Sequence, residues 1–499
     1  MRLFNTLSGS VEEVRPLVDG EIGLYACGFT VYDYTHIGHL RKYTMDDVLI
    51  KALRREGMRV RFVQNITDVG HLASDEDTGE DKLEKGSKKY WKTVWDIAHE
   101  FEDYFWYSMA LIGAAKPDVS CRATEHIIEQ INQVKTLEEK GYTYVIEGDG
   151  VYFDTSRFPD YGKLARLDLD ALKAGVRVEM VVGKRNPSDF ALWKFEREGE
   201  DRQMSWESPW SKKGFPGWHI ECSAMAMKYL GEQFDIHTGG IDHIPVHHTN
   251  EIAQAEAASG KHPFVKYWVH HNHLHVDGIK MSKSLGNFLT IDDVVARGFH
   301  PRALRLLFLT TYYRDEQNFT WESLASAQSA YQRLAATMAS LKAEKQRTTL
   351  SEEKLEKVNE YREKFNSALA NDLHTAEAVT VMYEVIKSNI PSPDKYDLLI
   401  DFDEALGLGL RQGGELKVSV PTVAQEKVGS DTLQISLHPA EWLSAHDESI
   451  TAEVRQLLAD RQLARDAKDW IKSDTLRDQI KALGYEINDG EEQTVKLIV

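Results

Sequence analysis

Hydrophobic and polar positions change period along the chain in an order that predicts its elements. EIGLYACGF, residues 21–29, is an apolar run of strand length and predicts a short buried strand. Met45, Val48, Leu49, Ala52 and Leu53 then fall at i, i+3, i+4, i+7 and i+8, the spacing of an amphipathic helix. Gly57 is placed to end that helix, and MRVRFVQNI, residues 58–66, alternates as a second strand. Strand, loop, helix and strand within about 45 residues make a βαβ unit, which implies a parallel sheet. The segment CGFTVYDYTHIGHLR, Cys27 to Arg41, lies at the carboxyl end of the first strand, where open α/β sheets bind ligands.

Further on, the pattern is helical from about Trp91 to Lys140, and YVIEGDGVYFDTSRF reads as a hairpin. The charged EREGEDRQMSWESPWSKKGFPG is irregular, so this middle portion reads as an insertion between two halves of one nucleotide-binding fold. A strand pattern resumes in EQFDIHTGG, NEIAQAEAASG reads as a helix, and the chain after Thr290 is mostly helical to about Leu410. RQGGELKVSVPTVAQEKVGSDTLQ has linker composition, and a last helix is predicted through ITAEVRQLLADRQLARDAKDW. The expected units are a first catalytic half at 1–118, an insertion at 119–214 and a second half at 215–289. A helical domain at 290–412, a linker at 413–432 and a small terminal domain at 433–499 complete the division.

Composition narrows this picture only a little. The 499 residues are 42% hydrophobic and 28% charged, as in an ordinary globular protein. No apolar run approaches the ~20 residues that span a bilayer, and the start lacks a signal-peptide core, so a cytoplasmic protein without a membrane partner is expected. Three scattered cysteines do not make a disulfide framework. A net charge of −19 argues against nucleic-acid binding driven by overall charge, but leaves a local basic groove open.

Candidate chemistry changes it a great deal. His36 and His39 bracket Ile37-Gly38 at a predicted helix start, where Gly38 leaves room for a flat ligand and the helix N-terminus offers N–H groups to phosphate. Taken alone, such a pair is most often two surface histidines. In VDGIKMSKSLGN, Lys280 and Lys283 extend from a Ser- and Gly-rich loop, suited to neutralising phosphate charge that builds in a transition state. Alone, K-x-x-K is most often a solvated pair. HIGH (36–39) and KMSKS (280–284), about 240 residues apart with an α/β half-fold before each, together resemble the two motifs of class I aminoacyl-tRNA synthetases. That resemblance implies a Rossmann-type α/β catalytic fold and an amino acid activated on ATP, with release of pyrophosphate, before transfer to a tRNA 3′ end. It implies that His36 and His39 contact phosphate, that adenine lies over Gly38, and that Lys280 and Lys283 stabilise the breaking bond. Gly28 and Thr30 are expected in the same ATP site, with Mg²⁺ accompanying ATP.

The amino acid is suggested by four more residues. His247 and Glu251 lie i, i+4 on one helix face, and Cys27 and Cys222 end a strand and begin a helix. Two thiolates, an imidazole and a carboxylate suit one Zn²⁺; the bland reading of Cys222, beside Ala224, Met225 and Met227, is a buried core cysteine. With the flanking strings GWHIECSAM and PVHHTNEIAQAEA, this set resembles the zinc site of the cysteinyl-tRNA synthetase family. LFNTL, NITDV, DIHTGGID and ARDAKDWIKSDTLRDQI extend the likeness over nearly the whole chain. The family implies L-cysteine, ATP and tRNA(Cys) as partners, one Zn²⁺ per chain and a monomer. It also implies that Cys27, Thr67, Trp218, His237 and Asp242 line the cysteine or adenylate pocket. Zinc separates cysteine from serine by acidity and softness, where shape alone discriminates poorly.

Two places depart from the family's pattern. Phe29 stands where the family has proline, so ring packing is expected to hold the loop instead of a fixed φ. The continuation after NITD also differs, and His71 with Asp75 to Asp81 is expected to be a solvated loop. In HHNHLH (270–275), His271, His273 and His275 are expected on one strand face, turned to the cleft or to solvent. On the last predicted helix, Arg461, Arg465 and Lys468 share a face near Trp470, a candidate tRNA contact set. The alternative to a tRNA ligase is a tRNA-independent ligase passing cysteine to a small amine, and a third reading is a silent RNA-binding relative.

Overall fold

The computed structural model describes residues 1–70, 83–84, 93–167, 182–197, 199–281, 286–344, 346–347 and 349–412. Beyond these it describes 416–420, 433–437, positions 457, 461 and 464, and 470–482, 485–489 and 493–497. The chain begins with a hairpin, β1 (Arg2–Asn5) and β2 (Ser10–Glu13), followed by β3 (Glu21–Thr30), α1 (Ile37–Arg55) and β4 (Arg59–Thr67). The predicted βαβ unit is therefore present, and β3 and β4 pair in parallel. After α2 (Val94–Ile112) come β5 (Val119–Arg122) and α3 (Ile127–Glu139). The expected unbroken helical stretch to Lys140 is thus interrupted by a strand, which joins the sheet beside β4.

Strands β6 (Thr143–Ile146), β7 (Gly150–Phe153), β8 (Phe190–Phe195) and β9 (Gly214–Pro216) form a separate antiparallel sheet, the inserted unit. The main parallel-sheet fold resumes with α4 (Trp218–Leu230), β10 (Phe234–Gly240), α5 (Thr249–Ser259) and β11 (Val265–His271). The main sheet has the order β11-β10-β3-β4-β5, all parallel. Its order reverses between β3 and β10, so a crevice opens at the carboxyl ends of those two strands.

The short strands β12 (Leu274–Val276), β13 (Ile279–Lys280) and β14 (Gln317–Phe319) form a small sheet, with α6 (Ile291–Ala296) and α7 (Pro301–Leu309) between β13 and β14. Helices α8 (Trp321–Ala343), α9 (Glu352–Ala370), α10 (Thr375–Lys387) and α11 (Ser392–Leu406) form the expected helical region. A buried arginine ties it to the main fold. Arg305 of α7 donates to Asp47 of α1 (2.5 Å) and to the carbonyl of Leu406 (2.6 Å). Burial pushes the Asp47 carboxyl up, but Arg305 and Lys51 outweigh it and hold the group below its ordinary range.

Within the expected linker, residues Leu416–Val420 form β15, paired antiparallel with β16 (Leu433–Leu437) of the expected terminal domain. In the terminal part, the described helix is α12 (Trp470–Ala482), followed by the hairpin β17 (Tyr485–Asp489) and β18 (Gln493–Leu497). Leu457, Arg461 and Ala464 are helical, within the predicted last helix. Among the described residues, no helix is long and apolar enough to cross a membrane.

Candidate functional site

The crevice is a cleft of about 260 Å³ whose lining includes Cys27, Gly28, Thr30, His36, Gly38, His39, Asp242 and Lys280. Local backbone chemistry explains its first wall. The β3–β4 register shifts between Ala26 and Phe29, and at that irregularity Gly28 N–H donates to Asn65 Oδ1 (2.8 Å). A Cβ on Gly28 would sit 1.4 Å from the Asn65 carbonyl oxygen, so only glycine lets the two strands meet here. Phe29 stacks on Phe105 of α2 (5.5 Å between centroids) and meets the His39 ring edge-on (5.1 Å). Ring packing therefore surrounds the residue that replaces proline.

His36 and His39 form a reciprocal helix cap. His36 is the N-cap of α1, and its Nδ1 accepts from the N–H groups of Gly38 (3.1 Å) and His39 (3.3 Å). His39 Nδ1 in turn accepts from His36 N–H (3.3 Å), and the two rings stack at 3.5 Å. Because both Nδ1 atoms accept, each ring carries its proton on Nε2. Burial pulls His36 down to about 4 and His39 well below its ordinary value, so both rings are neutral near pH 7. The first helical N–H, that of Ile37, donates to Leu289 O (2.9 Å). The expectation of unpaired helix-terminal N–H groups for phosphate is therefore overturned. The first-turn donors are already used, and the rings' Nε2–H groups are what remains.

At the cleft floor a second constellation converges. One donor atom each from Cys27, Cys222, His247 and Glu251 lies within 4.8 Å of the others, and all four residues are buried. Cys27 lies within β3 at its irregularity, Cys222 lies in α4, and a single π turn, Ile244–His248, leads into α5 with Glu251 in its first turn. His247 Nε2 is 3.1 Å from Glu251 Oε1, and His219 Nδ1 is 3.0 Å from His247 Nδ1, which fixes the ring's orientation. Burial pushes the Cys27 thiol up, but a hydrogen bond from Cys222 and the nearby His248, His237 and His247 bring it well below its ordinary value. The Cys222 thiol is pushed well up by that same bond and by burial, so Cys27 is the sulfur poised as thiolate. Burial opposes a charge on His247, yet Glu251 and Cys27 carry it up to about 10. A dry pocket that gathers a thiolate and a carboxylate, and draws a proton onto its imidazole for want of another cation, suits a soft divalent metal. Cys27, His237, His248 and Glu251 make an overlapping set within the same limit.

The remaining candidates fall around this floor. Trp218, the first residue of α4, lays its ring 4.4 Å from that of His247. His237 stacks on Trp268 (4.7 Å), and its Nε2 is 3.1 Å from Glu251 Oε2. Thr67 is buried beside Thr30 across the β3–β4 ladder and accepts from Asn65 Nδ2 (3.0 Å). Lys280 is exposed at the cleft, whereas Lys283, His71 and Asp75 to Asp81 lie outside the described residues.

Two expectations need correction. His271, His273 and His275 do not share a strand face, because β11 ends at His271 and β12 begins at Leu274. His270 and His271 are buried, the latter 2.9 Å from Asp46; His271 and His273 both line the cleft, and His275 lies 3.8 Å from Glu316. Arg461 is 1% exposed, so it is not on an open face; Arg465 and Lys468 lie outside the described residues, and Trp470 begins α12. Sequence reasoning missed Lys42, which lines the cleft one turn beyond His39 and donates to the Cys27 carbonyl (2.8 Å). Its i+3 spacing from His39 is a signal that was available.

The family described as tRNA synthetases class I (C) catalytic domain matches residues 13–329, and that described as cysteinyl-tRNA ligase anticodon binding domain matches 447–494. The chain is 42% identical to cysteine–tRNA ligase 1 of Burkholderia lata, over 99% of this chain and 96% of that one. It belongs to the cysteine–tRNA ligase family. The cysteine–tRNA ligase of Treponema denticola is 40% identical, with 98% of each chain covered, and that of Thermococcus onnurineus 39%, covering 99% and 98%. The fold is that of class I synthetases: Mycobacterium tuberculosis methionyl-tRNA synthetase superposes with a TM-score of 0.53 at 14% identity, covering 79% of this chain and 91% of that one. Family membership makes the chain an aminoacyl-tRNA ligase.

Proposed function

We propose that the protein activates L-cysteine with ATP to cysteinyl adenylate and pyrophosphate, then transfers cysteine to the 3′ end of tRNA(Cys). The observation that carries this reading is the shared cleft: Cys27 belongs both to its lining and to the Cys27, Cys222, His247 and Glu251 cluster. These four residues would hold Zn²⁺, which when bound supplies a soft cation that takes a thiolate and discriminates against a protonated serine hydroxyl. Trp218, His237, Thr67 and Asp242 bound the space left for the rest of the amino acid.

ATP, accompanied by Mg²⁺, lies along the His36–His39 wall with adenine over Gly38 and its sugar beside Gly28 and Thr30. A Cβ on Gly38 would meet Met281 Cε at 2.6 Å, so glycine keeps this passage narrow but open. The two Nε2–H groups donate to phosphate oxygens as uncharged donors, and Lys280 and Lys283 bring the positive charge that the rings lack. The match of residues 447–494 to an anticodon-binding family favours tRNA over a small amine as acceptor, with Arg461, Arg465, Lys468 and Trp470 in that module.

Cysteine-dependent ATP–pyrophosphate exchange, followed by charging of a tRNA pool, tests the proposal. Exchange with cysteine, almost none with serine, and acylation of one tRNA species are expected. Comparable exchange with serine, or acylation of a small amine with tRNA ignored, would overturn it.

A further inference from the structure

One sulfur of the metal cluster has a neighbour outside the set Cys27, Cys222, His247 and Glu251. His248 Nε2 lies 3.3 Å from Cys27 Sγ. Its other nitrogen, Nδ1, lies 2.7 Å from His270 Nε2, and His270 Nδ1 lies 2.7 Å from Thr6 Oγ1. His248 and His270 are buried on separate elements, the π turn before α5 and β11, while Thr6 follows β1 and is held by its N–H to the Trp268 carbonyl (2.9 Å). Three segments distant in sequence thus line up into one hydrogen-bonded row that ends on the sulfur.

The direction of that row follows from one premise. A cysteine sulfur that ligates a cation can only accept, so His248, 3.3 Å away, carries its proton on Nε2 and donates it to sulfur. Its Nδ1 must then accept, which puts the His270 proton on Nε2, and His270 Nδ1 accepts from the freely rotating Thr6 hydroxyl. Each ring then donates once and accepts once, so every polar atom in the row is satisfied. We propose that Thr6, His270 and His248 are positioning residues that deliver one N–H donor to the Cys27 thiolate, moderating the charge this sulfur gives to the metal and to a competing substrate thiolate. A sulfur relieved of part of its charge binds the cation less greedily, which leaves it able to take one more thiolate.

This inference rests on the metal reading of the cluster, and the experiment separates the two. Full-length protein stripped of metal is loaded with Co²⁺, and its sulfur-to-cobalt charge-transfer band is recorded. A hydrogen bond to sulfur lowers the energy of its lone pairs, so losing the bond shifts the band to longer wavelength. His248→Leu is expected to red-shift the band with its two-sulfur intensity retained, and to change zinc affinity by roughly 10- to 100-fold. His248→Gln keeps a side-chain N–H and is expected to restore the band position. Thr6→Val, which is nearly the same shape and lies two hydrogen bonds from His248, is expected to shift the band in the same direction by less. Unchanged bands in both His248→Leu and Thr6→Val would overturn the relay while leaving the metal site standing. Loss of the ligand-field bands in His248→Leu, with their retention in His247→Ala, would also overturn it by making His248 a ligand. Absence of any sulfur-to-cobalt band in the unsubstituted protein would overturn the metal reading and the relay with it.

Discussion

Along one wall of the cleft stand His36 and His39, two stacked rings stripped of charge by burial and fixed by the backbone they cap. On the floor, Cys27 and His247 are buried more deeply still, yet mutual attraction keeps charge on them. Burial gives opposite outcomes because on the wall it outweighs the pull of Asp33 and Asp242 on His36, and His36, Lys42 and His243 oppose a charge on His39, whereas on the floor Glu251 and Cys27 outweigh it at His247. The wall therefore offers fixed, uncharged donors, while the floor is an electrostatic trap suited to a cation. On the proposed function, that contrast lets one cleft handle a highly charged nucleotide and a small, soft thiol.

The largest effect should come from emptying the trap. Replacing Cys222 with Ala is expected to reduce bound zinc from about one per chain to almost none and to abolish cysteine activation, as read by elemental analysis and pyrophosphate exchange. Full zinc content in that variant would remove the floor from the comparison. Next in size, Lys283→Ala should slow exchange by about 10²–10³ with zinc content unchanged, since the wall's own donors are uncharged. Near-normal turnover would mean that the histidines suffice without the loop.

The smallest effect concerns the wall's neutrality and appears in stability. His36 titrates at about 4 when folded, because of burial, and near 6.5 when unfolded. Between those values the unfolded chain binds more protons, so stability is highest above about pH 6.5 and falls as the pH drops toward 4. His36→Gln should flatten this acid-side fall, by at most about 1.4 kcal/mol per pH unit, in urea midpoints measured from pH 6.5 to 4.5. Parallel curves for the two proteins would show that His36 does not carry the penalty.

The wall and much of the floor are legible in the sequence because their information is local. β3, α1 and β4 have strong periods, HIGH is contiguous, and His247 with Glu251 is one helical repeat. Cys222 needed the family resemblance, since only the sheet order brings α4 beside Cys27. His248 was not legible, because the π turn that places it beside Cys27 and His270 has no sequence period of its own. β5 was missed because a four-residue strand between two helices gives too short a signal. The alternation in HHNHLH is real, but a strand end at His271 breaks the face it implies. Arg461 shows a similar limit: helical spacing says which residues share a face, not which face is covered.

The histidine cap also makes the motif a ruler. His36 must be the residue just outside the helix and His39 the third within it, so Ile37 and Gly38 are a fixed length of chain. Inserting a single residue between the histidines would rotate the second ring by about 100° around the axis and lift it by about 1.5 Å. Both reciprocal bonds and the stacked pair would be lost together. Length variants, rather than chemical ones, are therefore the changes that this four-residue segment should tolerate least.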